Sequence, residues 1–184
     1  MLPLIDATTS LNAPPGGSPQ RRRGLTRRRG ALNALGTVAV DRVTIPERLR
    51  DEVPRFVADR LNQWRQRGRL HELPAADRHP RFGEFLATAA AALASRGQCF
   101  LNRLLLDGRP LARGLYFRTG RTDLLYMSTY VLDYAKYSPS HLLLLDSAEI
   151  AMREGITTIE LGRGDEQYKF DLGAESRYLR DVIR

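Results

Sequence analysis

Residues 98–130 carry three strand-length runs joined by two tight turn signals. The runs are 98–106, 110–118 and 123–130, with Asp107-Gly108 and Thr119-Gly120-Arg121 between them. Asp-Gly suits a two-residue hairpin, whose central residues take positive φ. Connections this short join antiparallel neighbours, because a parallel pair needs a crossover of about a dozen residues or more. The chain is thereby committed to a three-stranded meander.

The flanks of the meander read as helices and further strands. Pro46 opens a stripe of Leu49, Val53, Phe56, Val57, Leu61 and Trp64 that Gly68 ends. Pro54 falls inside it and predicts a kink or a late start. Phe82, Phe85, Leu86, Ala89, Ala90 and Leu93 predict a second helix with that face inward, ending at Gly97. Val38, Val40 and Val43 predict a short strand before both. Beyond the meander, Pro139 starts an apolar helix reaching Arg153, Gly155 stops it, and 156–161 reads as a buried strand. A short helix follows, and 178–183 closes as a last strand. The sum is a mixed α+β domain with short connections.

The 184 residues suit one domain with a real core. We place that domain at 20–184. The prolines and glycines of 1–19 predict an extended or poorly ordered arm. No apolar run approaches the roughly 20 residues of a membrane span; Leu142 to Leu145 is the most apolar point, closed by Asp146 and Glu149. The single cysteine, Cys99, lies in a strand pattern and reads as an inert core thiol, in keeping with a reducing, cytoplasmic setting. No metal-ligand spacing, Ser/His/Asp order or P-loop appears. His71 and His79 flank a polar loop and read as exposed.

The net charge of +8 is almost all arginine; Lys136 and Lys169 are the lysines. Arg21, Arg22, Arg23, Arg27, Arg28 and Arg29 crowd one helix without an acid among them, with Leu25, Leu32 and Leu35 on its apolar face and Gly36 at its end. Such a helix reads first as a solvated basic face, and next as a contact to an anionic substrate such as a lipid-linked sugar. Nucleic acid ranks last, because aromatic interleaving for base stacking is absent.

The densest cluster of reactive groups follows the 156–161 strand. Gly162, Arg163, Gly164, Asp165, Glu166, Tyr168 and Lys169 fall within a few positions. A structural turn does not need that many titratable groups, and a loop at the carboxyl end of a strand is where such sheets place ligands. The alternative is a capped turn in which Asp165 caps the helix and Lys169 pairs with an acid.

At this point the motifs carry a resemblance. Arg21-Arg-Arg-Gly-Leu-Thr-Arg-Arg, Trp64-Arg-Gln-Arg-Gly, Asp107-Gly-Arg-Pro-Leu-Ala, Tyr134-Ala-Lys-Tyr-Ser-Pro, Leu142-Leu-Leu-Leu and Gly162-Arg-Gly-Asp-Glu-Gln-Tyr-Lys occur in order over about 18–184. Together they resemble the GNAT (Gcn5-related N-acetyltransferase) superfamily. The nearest branch is the CelD-like acetyltransferases found with bacterial polysaccharide and cellulose genes and related to FemAB-type aminoacyl transferases. The resemblance implies a three-layer αβα fold, with helices on both faces of a mixed, mostly antiparallel sheet. It implies transfer of an acetyl or other acyl group from acyl-CoA to an amine or hydroxyl, on a saccharide or cell-envelope precursor, without a metal. The rival expectation is a non-catalytic or truncated module that binds nucleic acid, tRNA or lipid head groups through the 21–29 helix; in FemAB-type relatives the donor is aminoacyl-tRNA.

The resemblance also assigns residues. The cofactor arm would run along the edge of 123–130, at Ser128 and Tyr130, where that strand splays from 156–161. The phosphates would rest on Lys136, Tyr137, Ser138, Pro139 and Ser140, with Ser138 as N-cap and Pro139 at the first helical position. His141 opens that helix and reads as packed or exposed rather than bound to the anion. The segment from Lys136 to His141 lacks the glycines usual in a GNAT phosphate loop. Asp165 and Glu166 would be candidate bases, Tyr168 the acid for the departing thiolate, Lys169 a holder of the acceptor or partner of Asp165, and Arg163 a carboxylate or phosphate ligand. CelD-like and FemAB-like proteins carry two GNAT-like halves, and this chain matches the second. A second half or a homo-oligomeric partner is therefore expected.

Overall fold

The structure is a computed structural model that describes residues 6–11, 17–164 and 166–179. A seven-stranded sheet runs through it, formed by β1 (Asp6–Leu11), β2 (Val38–Val43), β3 (Cys99–Leu106), β4 (Arg109–Thr119), β5 (Thr122–Tyr130), β6 (Thr158–Arg163) and β7 (Glu175–Leu179). Its order is β2-β3-β4-β5-β6-β1-β7. The meander forms as expected, and the Asp107-Gly108 turn takes the positive φ angles that its geometry requires (48° and 78°). Among the described strands the parallel pair is β5–β6, joined by the crossover helix α4 (Pro139–Arg153, numbered in chain order with those below).

Helices cover both faces. α2 (Pro46–Gln66) and α3 (Phe82–Ala94) pack on one, α1 (Pro19–Asn33) and α4 on the other. β3 alternates between the two cores: Phe100 and Leu104 face α4, while Cys99 and Leu101 face α2 and α3. Fully burying one such leucine is worth about 1.5–3 kcal/mol. Cys99 is buried among these groups, which push its thiol up to about 12, so it is inert at neutral pH.

Five expectations meet a different arrangement. Phe85 is 67% exposed, because the inward face of α3 is carried by Phe82, Leu86, Ala87 and Ala90. α2 starts at Pro46 and continues through Pro54. The strand after α4 is shifted toward the carboxyl end, to Thr158–Arg163, and the final strand already begins at Glu175, with 180–183 outside the described residues. Residues 6–11, read as part of an extended arm, are indeed extended, but pair as β1 with β6 on one side and β7 on the other. Nothing local marks that pairing; it depends on the edge that β6 and β7 offer. The Pro14-Pro15 segment of the arm lies outside the described residues.

Candidate active site

β5 and β6 are hydrogen-bonded neighbours only where they begin. Their register pairs Thr122 with Thr158, Asp123 with Ile159 and Leu124 with Glu160, and no pair follows. A bulge on β5 marks the point of divergence: Leu115 of β4 faces Met127, Tyr116 faces Leu125, and Tyr126 is the extra residue. Bulges bend a strand and increase its twist. The parted strands enclose a cleft of about 630 Å³, reached by β5, β6, the first turn of α4, the end of α2 and the loop after β6.

Along the open side of β5 the backbone is turned outward. Val131 donates to the Leu111 carbonyl. The alternation of antiparallel pairing then aims the Ser128 and Tyr130 backbone away from β4. Arg60 Nη1 donates to the Ser128 carbonyl at 2.8 Å, and Gln63 Nε2 to the Tyr130 carbonyl at 2.9 Å. Thr129 Oγ1 completes the arrangement by donating to Gln63 Oε1 at 3.1 Å. Two carbonyls of the splayed edge are thus satisfied by α2.

The loop after β6 turns on Gly162 and Gly164, at φ 72° and 102°. A side chain at Gly164 would also meet the Glu166 carboxylate, 2.5 Å from its Cβ. Lys169, on the short helix α5 (Gln167–Asp171), reaches back into this loop and is 1% exposed. Its Nζ lies 3.3 Å from the Gly162 carbonyl, 3.2 Å from that of Gly164 and 2.8 Å from Glu166 Oε2. A buried ammonium needs such partners, and here they tie the loop to α5. Burial raises the Glu166 carboxyl pKa and the Lys169 hydrogen bond lowers it; the net lies below its ordinary value, so Glu166 is ionised at neutral pH. Tyr168 is half-buried in the cleft wall, and its phenol is pushed up to about 12 by burial and by the Glu166 charge, with Arg60 opposing. It remains a proton donor over the physiological range.

At the first turn of α4, Ser138 takes the left-handed conformation (φ 53°, ψ 52°) that a glycine would adopt at lower cost. Its hydroxyl makes no N-cap bond, contrary to expectation; it accepts instead from Arg28 Nη1 at 3.0 Å. Leu25 and Leu32, buried in the core beneath α4, dock α1 here. Arg29 pairs with Asp146, and Arg21 with Asp171 at 3.8 Å. Arg21 Nη2 lies 3.3 Å from His141 Nδ1, an arrangement that makes Nδ1 the acceptor and places the proton on Nε2. Burial, then Arg21 and Arg28, depress His141 to about 4, so the ring is neutral. It stacks on Tyr168 with centroids 5.2 Å apart. The basic helix is therefore divided: Arg21, Arg28 and Arg29 face inward and make contacts, while Arg22, Arg23 and Arg27 are exposed.

Of the residues assigned from sequence, Ser128, Tyr130, Ser140, Glu166, Tyr168 and Lys169 line the cleft. Ser140 Oγ is buried there without a partner. Lys136 is exposed, 5.1 Å over the Tyr137 ring, and neither lines the cleft; Pro139 and Ser138 lie just outside its lining. Asp165 and the Arg163 side chain lie outside the described residues. His141, Arg60, Gln63, Trp64 and Arg67 line the cleft too, and sequence reasoning gave them no place there. One signal could have found Arg60, Gln63 and Arg67: the spacing of the buried Leu49, Val53 and Phe56 continues into them. Among the described residues no three His, Cys, Asp or Glu gather as a metal site, and no helix is long and apolar enough to cross a membrane.

Known structures share this fold, and a family model assigns the family. FemX aligns over 92% of this chain and 59% of its own, at 12% identity and a TM-score of 0.58. The C-terminal domain (DUF2156) of a protein assigned as a lysylphosphatidylglycerol synthetase, from Agrobacterium fabrum, aligns over 95% and 58%, at 14% identity and a TM-score of 0.59. A conserved protein of unknown function from Bacteroides thetaiotaomicron aligns over 96% and 62%, at 12% identity and a TM-score of 0.58. The chain thus spans about three-fifths of these structures. No curated protein matches the sequence. The family model described as an acetyltransferase (GNAT) domain matches residues 19–170, from α1 into the α5 helix that carries Tyr168 and Lys169, and the chain belongs to that family.

Proposed function

We propose that this domain transfers an acyl group, acetyl in the simplest case, from acyl-CoA to an amine or hydroxyl acceptor on a saccharide or cell-envelope precursor. The observation that carries this reading is the parting of β5 from β6 over a cleft with the protonated Tyr168 in its wall. The residues fit an acyl-CoA donor in three respects. The outward-turned edge at Ser128 and Tyr130 offers backbone groups to an amide-bearing arm. Ser140 Oγ is a buried hydroxyl that lacks a partner. The first turn of α4 is electropositive and has Arg28 beside it, which favours phosphate. One feature limits the fit: the Ser128 and Tyr130 carbonyls are held by Arg60 and Gln63, so a donor arm finds the edge's N–H groups open and its carbonyls engaged.

Acyl-CoA supplies an activated thioester when bound. The chain's own groups do the rest. Tyr168, neutral to high pH, holds the proton that a leaving thiolate needs. Either Asp165 or Glu166, the latter ionised and exposed at the cleft, takes the acceptor's proton; the lowered pKa of Glu166 makes it a modest base. Lys169 holds the Gly162 and Gly164 carbonyls and so positions the carboxylate. Arg163 remains our assignment for an acidic group of the ligand. The tandem architecture of similar proteins makes a second GNAT-like half, or a second copy, the partner that would close the cleft, and the inert Cys99 suits a cytoplasmic setting. The rival reading, an anion-binding module without catalysis, draws on the exposed Arg22, Arg23 and Arg27.

Calorimetric titration with acetyl-CoA tests the proposal. Saturable binding that weakens in Arg28→Ala and in the Lys136→Ala, Ser138→Ala double variant supports it; no binding at millimolar CoA sinks it. Acyl transfer that survives in Asp165→Ala with Glu166→Ala overturns the base assignment.

A further inference from the structure

The stripe that buries α2 changes character halfway along the helix. Leu49, Val53 and Phe56 are fully buried, and the next residues at that spacing are Arg60, Gln63 and Arg67. Val57 and Leu61 continue the packed face with apolar residues; the edge of the stripe that enters the cleft turns polar and cationic instead. Arg60 Nη1 is anchored on the Ser128 carbonyl, yet its Nε is buried without a partner. Burial lowers the Arg60 pKa, with Asp77 offsetting only in part, as expected of a guanidinium short of a counter-ion. Arg67 reaches the Tyr130 hydroxyl, lies over that ring and has no carboxylate partner among the described residues. Arg60 and Arg69 both stand 5.5 Å from the Trp64 ring. Arg69 is held by Glu72. This wall packs on the α2–α3 face of the sheet, whereas Ser138, Ser140 and Arg28 belong to the α4 face. The two cationic zones therefore approach the parted strands from opposite faces.

We infer that Arg60, Arg67 and Arg69, around Trp64, form an acceptor subsite for an oxyanion, so that the acceptor carries a carboxylate or phosphate beside its reactive amine or hydroxyl. Guanidiniums match both groups with paired N–H donors. The inference rests on the acyltransferase reading for the word acceptor, but the subsite itself does not need a donor.

Trp64 is the single tryptophan and reports from within the subsite. Its fluorescence is followed while the full chain is titrated with sodium phosphate, sodium acetate or sodium chloride at constant ionic strength. A saturable change with phosphate or acetate, weakened at least ten-fold in Arg67→Gln and in Arg69→Gln and unchanged in Arg22→Gln, supports the subsite. Arg67 and Arg69 are exposed, so these variants fold. A response shared with chloride, or an Arg67→Gln variant that binds as the parent does, overturns it. Loss of the response at saturating CoA also overturns it, by giving these arginines to the donor. A second arm compares transfer to glucosamine and glucosamine 6-phosphate. Arg67→Gln raises KM at least ten-fold for the phosphorylated amine alone; an equal effect on both amines counts against the subsite. Absence of transfer to any amine defeats the acyltransferase reading, while the titration still decides the subsite.

Discussion

At its amino end β5 is paired on both sides, and Asp123, 1% exposed, accepts two hydrogen bonds from Arg118 at 2.7 and 2.8 Å. Glu154 joins Arg118 to Arg42, and both guanidiniums flank the Phe100 ring, at 5.1 and 4.1 Å. At its carboxyl end the same strand has no β6 neighbour, and the arginines beside it, Arg60 and Arg67, meet a carbonyl and a phenol rather than a carboxylate. One end balances its charges internally and holds the sheet together. The other leaves cationic groups unbalanced in a cleft. Charge completed within the fold serves stability, and charge left incomplete beside a parted strand is what the proposed subsite draws on.

The largest effect comes from breaking the balanced end. Asp123→Ala leaves Arg118 short of its main partner and costs about 3 kcal/mol, since removing one member of a largely buried pair strands the other; urea denaturation measures it. At the open end the first effect is on rate. Tyr168→Phe lowers kcat roughly 100-fold, the usual worth of a positioned proton donor, with KM for the donor unchanged in steady-state kinetics. Gln63→Leu strips the Tyr130 carbonyl and Thr129 hydroxyl of their partner and destabilises by about 2 kcal/mol. Its denaturation midpoint falls, and the smaller loss relative to Asp123→Ala is the comparison restated in energy.

His141 adds a pH dependence. Its folded pKa of about 4 lies below the ordinary 6.5, owing to burial and to Arg21 and Arg28, with Asp171 opposing. The unfolded chain therefore takes up the proton first as pH falls. The stabilisation is present above pH 6.5 and is lost progressively down to about pH 4, by an amount on the order of 2 kcal/mol. His141→Gln flattens that window in denaturation curves recorded from pH 7 to 4. The smallest effect is expected at Ser138. Ser138→Gly relieves the left-handed backbone but forfeits the Arg28 bond, and the two offset to within about 1 kcal/mol.

Much of the site was legible because its signals are local. Glycines at 162 and 164, with Tyr168 and Lys169 close behind, mark a candidate loop, and these four residues sit at or beside the cleft. The opposite wall was harder to read. Arg60, Gln63 and Arg67 lie on a helix whose apolar stripe was read through Leu61 and Trp64 toward the core. Only the bend of β5 away from β6 shows that the end of α2 faces a cleft. Lys136 is legible by position before the α4 helix, whereas the contact of Arg28 with Ser138 comes from 110 residues earlier in the chain and has no local signal.

The sequence by itself determined the meander, the crossover helix and the reactive loop. Turn chemistry, proline at a helix start and apolar periodicity act over a few residues and do not wait for the rest of the chain. Tertiary structure alone decided the insertion of β1 between β6 and β7, the bulge at Tyr126 and the arginines that face the cleft. Each of these depends on which backbone edges remain unpaired once the sheet has formed, and that is a property of distant segments meeting rather than of any one segment.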